Sequence, residues 1–421
     1  MANIAPMSLF PDWVEKGVPY GPPPERGWNV LADDLHFPLL VLKEAALAHN
    51  IAAMADWCRG NGFLLAPHGK TTMCPQLYRR QLDAGAWGIT VANASQAMVC
   101  VRAGVRRILI AKQVVGRASA SSLAGAMKDM PDLEIYCLVD SIEVVKQLAR
   151  HLESSGAERP LNVLVEWGRP HWRTGARSME AALRVYDEVI RHSAQLHYAG
   201  VEGFEGLAHS EHNPDEEARQ VDEFLKGVLH LASELATRTA GGPEGPLFSV
   251  GGTSFLDLVA DLASTVSKQF RVILRSGCYV THDHGLYQEK FRAAKLRAGN
   301  AAVPDFIPAL ELWSYVQSVV EPGVAIVTFG KRDCSYDIGL PIPLFALPAL
   351  RPLAERIPLN GARITHLNDQ HAYLSAASER LSVGDRVCCG ISHPCTAFDK
   401  WRILPVVNDS YDVGDWYRTY F

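Results

Sequence analysis

The stretch Phe63–Met73, FLLAPHGKTTM, decides how this 421-residue chain is read. It starts as a short apolar run suited to a buried strand and breaks at Pro67-His68-Gly69-Lys70. Such a strand delivers a lysine at its C-terminal tip. In barrels and in open α/β sheets the chemistry sits at the carboxyl ends of the strands. A lysine held there, partly out of water, can serve as an amine nucleophile or a base. The plainer reading is a solvated lysine in a βα loop.

A rhythm begins at the same point. Apolar runs of strand length recur at Phe63–Pro67, Gly88–Ala92, Arg107–Ala111, Leu133–Val139, Asn162–Glu166, Tyr198–Gly203, Phe248–Val250 and Arg271–Arg275. Helical patterns separate them, among them Cys74–Ala84, Ala94–Ala103, Ser141–Glu153, Ser178–Gln195 and Asp215–Arg238. Strands apolar on both faces belong to a covered parallel sheet. Eight such units predict a (β/α)8 TIM barrel, with an open doubly wound sheet as the alternative. Ahead of it, Phe37–Leu42 reads as a strand and Lys43–Gly60 as an amphipathic helix. Beyond about residue 285 the pattern changes to strands between Gly, Pro and Asp turns, at Glu311–Glu321, Val324–Phe329, Ala362–Leu367 and Arg386–Gly390. The expected division is an N-terminal arm over 1–37 packing with the β domain, a barrel over 38–285 and a C-terminal β-rich domain over 286–421.

Composition narrows the function. A hydrophobic content of 48% and a charged content of 21% are those of a globular protein with a sizeable core. The net charge of −5 gives no reason to expect nucleic acid or an acidic membrane surface. No apolar run is long enough to span a bilayer, and prolines interrupt Leu340–Leu353. No signal peptide is visible in MANIAPMSLF. Nine cysteines, an odd number with no C-x-x-C pair, argue against a disulfide framework and a four-cysteine zinc site and favour a reducing cytoplasm.

Three further motifs carry chemistry. Glycine clusters follow the last two strands, at Gly251-Gly252-Thr253-Ser254 and at Ser276-Gly277-Cys278-Tyr279. Phosphate sites formed after strands seven and eight recur in barrels, and the Thr253 and Ser254 hydroxyls would add donors. A lysine on the first strand facing a phosphate cradle on the last two suggests pyridoxal phosphate. The fifth strand ends in Arg169-Pro170-His171-Trp172-Arg173-Thr174-Gly175, which sets two arginines at the active rim. An arginine facing the pyridine nitrogen would keep it unprotonated; surface ion pairing is the other reading. In the C-terminal region His393-Pro394-Cys395, read as extended, would put both side chains on one face. Imidazole plus thiolate favours zinc, and two ligands suit an open site. Asp369, His371 or water are the candidates to complete the shell.

With these residues in view, the chain resembles the fold-type III pyridoxal-phosphate enzymes of the D-serine dehydratase and D-threonine aldolase group, closest to the bacterial cryptic D-serine deaminase branch. The resemblance spans about Pro38 to Trp401. It rests on Pro67-His68-x-Lys70, Arg173-Thr174-Gly175, Gly251-Gly252-Thr253, Ser276-Gly277-Cys278-Tyr279 and His393-x-Cys395. It implies an alanine-racemase-like barrel, Lys70 as the Schiff-base lysine and Arg173 at the cofactor ring. It places His68, Gly252, Thr253, Ser254, Gly277, Cys278 and Tyr279 in the cofactor site, and His393 and Cys395 on zinc or another divalent metal. It also implies a homodimer, a D-amino acid substrate and elimination from D-serine to pyruvate and ammonia. Aldol cleavage of D-threonine, racemisation and cofactor carriage without turnover are the alternatives. Phe204 stands where many relatives have tyrosine, Thr72 where they often have histidine, and Gln96 where glutamate is common.

Overall fold

The computed structural model describes residues 15–20, 24–208, 213–239, 245–266, 269–298, 303–349, 356–375 and 381–421. Residues 1–14 and 21–23 of the expected arm lie outside these. β1 (Leu39–Lys43) and α1 (Glu44–Asn61) come first. The eight expected strands follow as β2 (Leu64–Leu65), β3 (Ile89–Val91), β4 (Arg107–Gln113), β5 (Glu134–Val139), β6 (Leu161–Trp167), β7 (Leu196–Gly203), β8 (Leu247–Val250) and β9 (Arg271–Leu274). All pairings among them are parallel, in the order β2-β9-β8-β7-β6-β5-β4-β3. The ends of that order meet. Trp87 N–H donates to Leu65 O at 2.7 Å and Thr90 N–H to Pro67 O at 2.9 Å, and His68 bridges Thr90. The sheet closes, so the barrel rather than the open sheet is formed.

The barrel helices are α2 (Pro75–Asp83), α3 (Ala94–Arg102), α4 (Arg117–Asp129), α5 (Ile142–Ser154), α6 (Met179–Arg191), α7 (Pro214–Ala236) and α8 (Leu256–Val266), with α9 (Leu286–Ala298) leading out. Their starts are written locally. The side chains of Asn93, Ser141, Ser178 and Asn213 cap α3, α5, α6 and α7 by accepting free N–H groups of the first turn. On α5 the buried residues Val145, Leu148, Ala149 and Leu152 recur at helical spacing, the stripe that packs on the strands. Inside the barrel, Ala66, Trp87, Leu109, Tyr136, Leu138, Leu164, Leu247 and Ile273 form a separate apolar plug. The polar residues of the strand ends sit above it.

The second sheet holds ten strands. Nine come from the C-terminal region: β10 (Leu310–Glu321), β11 (Val324–Val327), β12 (Ile342–Leu347), β13 (Ile357–Pro358), β14 (Arg363–Leu367), β15 (Ala372–Ser375), β16 (Arg386–Gly390), β17 (Ile403–Val407) and β18 (Val413–Arg418). The tenth is β1, antiparallel to β10 and parallel to β17. This corrects the boundary at 38, because Leu39–Lys43 belongs to the β-rich sheet and the barrel begins after α1. The four leucine and valine residues of β1 are fully buried, as a strand covered on both faces must be. β12 lies in the proline-rich apolar stretch. It accommodates Pro343 at a break in register against β16, one of the few places a sheet admits proline. Described arm residues lie against this sheet: Lys16 pairs with Asp333 at 2.6 Å and Asn29 donates to Asp412 at 2.7 Å. Among the described residues no helix is long and apolar enough to cross a membrane, and all nine cysteines are free.

Gly200 in β7 is a point where the barrel tolerates no side chain. Its φ is +150°, and a Cβ there would lie 2.0 Å from the Leu247 carbonyl oxygen of β8. Gly200→Ala should lower the thermal midpoint by roughly 5 °C or more, read by circular dichroism.

Candidate active site

Lys70 sits in a single 3-10 turn, Gly69–Thr71, directly after β2. The turn is pinned from below: Tyr78 of α2 donates its hydroxyl to Gly69 O at 2.9 Å. A Cβ on Gly69 would come within 2.7 Å of the Tyr78 ring. Lys70 is half-buried, and its amine has no hydrogen-bond or ion-pair partner among the described residues. His68, one residue before the turn, has a buried Nδ1 without a partner. Burial, then the positive charges of Lys70, Arg275 and Arg173, hold its imidazole well below its usual range, so it is neutral.

Across the barrel mouth lies an array of buried charge. Arg275, at the end of β9, is 5% exposed. It pairs with Glu202 of β7 and donates to Gly203 O at 2.8 Å. Arg173 lies 4.7 Å and Arg275 5.9 Å from the centre of the Phe204 ring. Arg169 is drawn away to Glu223 at 3.8 Å, which is the ion-pair reading of that residue. Glu166 accepts from Gln113 at 2.5 Å and from Thr174 at 2.7 Å. A small cleft lined by Glu166, Trp172, Arg173, Thr174, Phe204 and Leu207 opens here. Arg275 escaped the sequence reading. Its one signal was a charged residue closing an otherwise apolar strand.

The two glycine clusters are brought together as expected, with Ser276 donating to Gly252 O at 2.7 Å. Two assignments change. The Gly252 N–H is not free, because Glu205 accepts it at 2.6 Å. The Tyr279 side chain does not face Lys70. Residues Cys278–Val280 form a 3-10 turn that puts the phenol between α1 and α2, where Gln81 donates to it at 2.9 Å. The N–H groups of Thr253, Ser254, Gly277 and Cys278, and the Thr253 and Ser254 hydroxyls, meet no acceptor among the described residues. An unsatisfied set of donors of this kind at two adjacent strand ends fits a phosphate. The residues present therefore suit pyridoxal phosphate, with an amine at Lys70 and a cradle opposite.

The C-terminal domain reaches the same rim. Backbone bonds from His284 N–H to Ile391 O and from Leu286 N–H to Ser392 O, both 2.9 Å, lay residues 391–396 against the barrel. His393 precedes a 3-10 turn, Pro394–Thr396, and Cys395 lies within it, so the two are not in one extended segment, yet their side chains still meet. Cys395 Sγ is 3.3 Å from Cys278 Sγ and 3.5 Å from Thr71 Oγ1, next in sequence to Lys70. The Cys278 thiol, donating to it, lowers the Cys395 pKa against the effect of burial, and His393 adds to this. Burial opposes the charged form of His393, but Cys395 and Asp337 outweigh it and raise its pKa to about 9. Asp337 accepts from His393 Nδ1 at 2.9 Å and from Thr396 at 3.1 Å. Asp369 and His371 do not join: both are exposed in the β14–β15 turn, where Asp369 pairs with Arg332 at 3.6 Å. Among the described residues no group of three or more His, Cys, Asp or Glu side chains is arranged to hold a metal ion. A thiolate beside an imidazole oriented by a carboxylate is nonetheless a donor pair that suits an open zinc site. Of the other departures, Thr72 is buried and Gln96 accepts from Ala92 N–H at 2.8 Å, a capping role at the start of α3.

Burial pushes the Glu202 carboxyl up to about 8, with Arg275 pulling the other way. Its ordinary value is 4.5, so between these values folding takes up a proton. Stability should fall as pH rises through that window. Glu202→Gln should flatten the slope, measured as the urea midpoint between pH 5 and pH 8.

Residues 42–259 match the family model described as alanine racemase, N-terminal domain. Residues 309–407 match the model described as "Putative serine dehydratase domain". A D-threonine aldolase from Arthrobacter sp. is 28% identical over 254 residues, which is 59% of this chain and 65% of that one. A D-threo-3-hydroxyaspartate dehydratase from Delftia sp. strain HT23 is 26% identical over 394 residues, 91% of this chain and 97% of that one. The solved D-threonine aldolase of Filomicrobium marinum superposes with a TM-score of 0.76 at 25% identity, covering 94% of this chain and 98% of that one. The chain belongs to the alanine racemase N-terminal domain family, with a C-terminal stretch that matches the putative serine dehydratase domain model.

Proposed function

We propose that the chain is a pyridoxal-phosphate- and zinc-dependent lyase that dehydrates D-3-hydroxy amino acids, with D-serine converted to pyruvate and ammonia and D-threonine as a second substrate. The observation that carries this reading is the contact of Thr71 with Cys395, which sets an imidazole–thiolate pair beside the lysine turn. The named relatives, an aldolase and a dehydratase of D-amino acids, support the substrate class.

Pyridoxal phosphate, when bound, supplies a carbonyl for the amino group and a ring that accepts the electron pair left at Cα. Lys70 would hold the cofactor at rest and, once its amine is released, take the Cα proton at Nζ. Thr253, Ser254, Gly277 and Cys278 would orient it through their free amides. Arg275 and Arg173 would bias the ring end, and neutral His68 beside Lys70 adds no charge to oppose a cationic lysine. Phe204 brings no hydroxyl to this wall. His393 and Cys395 would hold zinc, which supplies Lewis acidity toward a β-hydroxyl, a poor leaving group. A homodimer is part of the same reading, checked by light scattering.

A second reading has specific support. The two aldolase relatives favour retro-aldol cleavage, which gives glycine and an aldehyde from the same substrate class.

Purified protein assayed with D-serine and D-threonine, with and without added zinc, should yield keto acid and ammonia only with zinc. Glycine plus acetaldehyde from D-threonine would move the enzyme to the aldolases. Lys70→Ala should abolish both the visible absorption of bound cofactor and turnover, by about 1,000-fold or more. Cys395→Ala should lower zinc content and dehydration while leaving the cofactor bound. Full activity in metal-free protein would remove zinc from the reading.

A further inference from the structure

The glycine turn after β8 already has a resident anion. Glu205 lies just beyond β7 and is fully buried. One carboxylate oxygen accepts from Gly252 N–H at 2.6 Å and the other from Gly251 N–H at 3.2 Å. The turn is moulded to receive it: Gly251 has a φ of +86°, and a Cβ on Gly252 would lie 2.9 Å from the Phe204 ring and 3.2 Å from Glu205 Oε1. Ser276 donates to Gly252 O at 2.7 Å, and Arg275 N–H donates to Gly251 O at 3.0 Å. The carboxylate thus ties the loop after β7 to the turn after β8, and Ser276 and Arg275 tie that turn to the loop after β9.

A phosphate cannot share those two amides with it. Two anions on the same donors repel, and a displaced Glu205 would be a buried charge giving up two charge-assisted hydrogen bonds. No ion pair to Glu205 exists among the described residues to receive it elsewhere. The neighbouring N–H groups of Thr253, Ser254, Gly277 and Cys278 have no acceptor among the described residues. We infer that Glu205 is a positioning residue of the cofactor site. It reserves the Gly251 and Gly252 amides, fixes the turn, and leaves the Thr253–Ser254 and Gly277–Cys278 amides as the phosphate donors. The inference rests on the reading that the chain binds pyridoxal phosphate.

Glu205→Gln keeps the shape, retains one acceptor oxygen and turns an NH2 group toward the other amide. The test compares full-length, cofactor-stripped wild type and this variant, matched for fold by circular dichroism. Three probes are titrated by fluorescence or calorimetry: pyridoxal phosphate, pyridoxal (which lacks the phosphate) and inorganic phosphate. Glu205→Gln should weaken pyridoxal phosphate and inorganic phosphate about tenfold, while pyridoxal changes less than about twofold. Ser276→Ala, which cuts the other side-chain tie to the turn, should give the same pattern at about threefold, and it decides the matter if the glutamine variant does not fold. Equal losses for pyridoxal and pyridoxal phosphate would mean general loosening and overturn the inference. Tighter pyridoxal phosphate binding in the glutamine variant would make Glu205 a competitor of the phosphate, which also overturns it. Failure of folded wild type to bind pyridoxal phosphate at all would overturn the cofactor reading and this inference with it.

Discussion

Two backbone hydrogen bonds hold the candidate site together, His284 N–H to Ile391 O and Leu286 N–H to Ser392 O. They lay the leading edge of the β-rich domain on the rim of the barrel. Beside them, the contacts of Cys395 with Thr71 and Cys278 hold the His393–Cys395 turn next to Lys70 and the glycine loops. The fit at this seam is close. A Cβ on Gly390 would fall 2.3 Å from the His284 ring, and one on Gly285 would fall 2.7 Å from Ser392 O. Glycine at both places is what lets the two backbones approach.

The mouth above the apolar plug concentrates charge that a protein interior normally avoids. Glu166, Glu202 and Glu205 are all buried, with Arg275 among them. Each carboxyl group has its own partners: hydroxyl and amide donors for Glu166, a guanidinium on one oxygen of Glu202, and two backbone amides for Glu205. The arrangement keeps the wall polar while leaving Lys70 and the amides of Thr253, Ser254, Gly277 and Cys278 without a partner among the described residues. Preorganised but unused hydrogen-bonding capacity of this kind is what a ligand can exploit.

All eight barrel strands were legible in the sequence, because strands buried on both faces are written as continuous apolar runs. Strands of the second sheet were read where turns punctuate them, as at β10 and β16, and missed where proline disguises them, as at β12. The place of β1 could not be read, since an apolar run does not say which sheet will receive it. In the site, Lys70, the glycine clusters and the His393–Cys395 pair were legible as motifs with a spacing. Glu205, Arg275 and Asp337 were not. Each acts through partners on other loops, and such pairing leaves no local pattern. Tyr279 was misplaced for a related reason: a single 3-10 turn reverses where a side chain goes, and three residues carry too little signal to announce it.

The membership of β1 in the second sheet also bears on how the molecule comes to be. Leu42 pairs with Val406, so β1 finds one of its neighbours only after nearly the whole polypeptide exists. Contacts of such long sequence separation form slowly, because a large loop must close before anything is gained. The barrel can organise from successive local βα units during synthesis, whereas an apolar strand at its entrance waits unpaired. The active rim is therefore among the last features to be assembled, and a chain interrupted before β10 would hold a barrel with an exposed strand and no second half to its site.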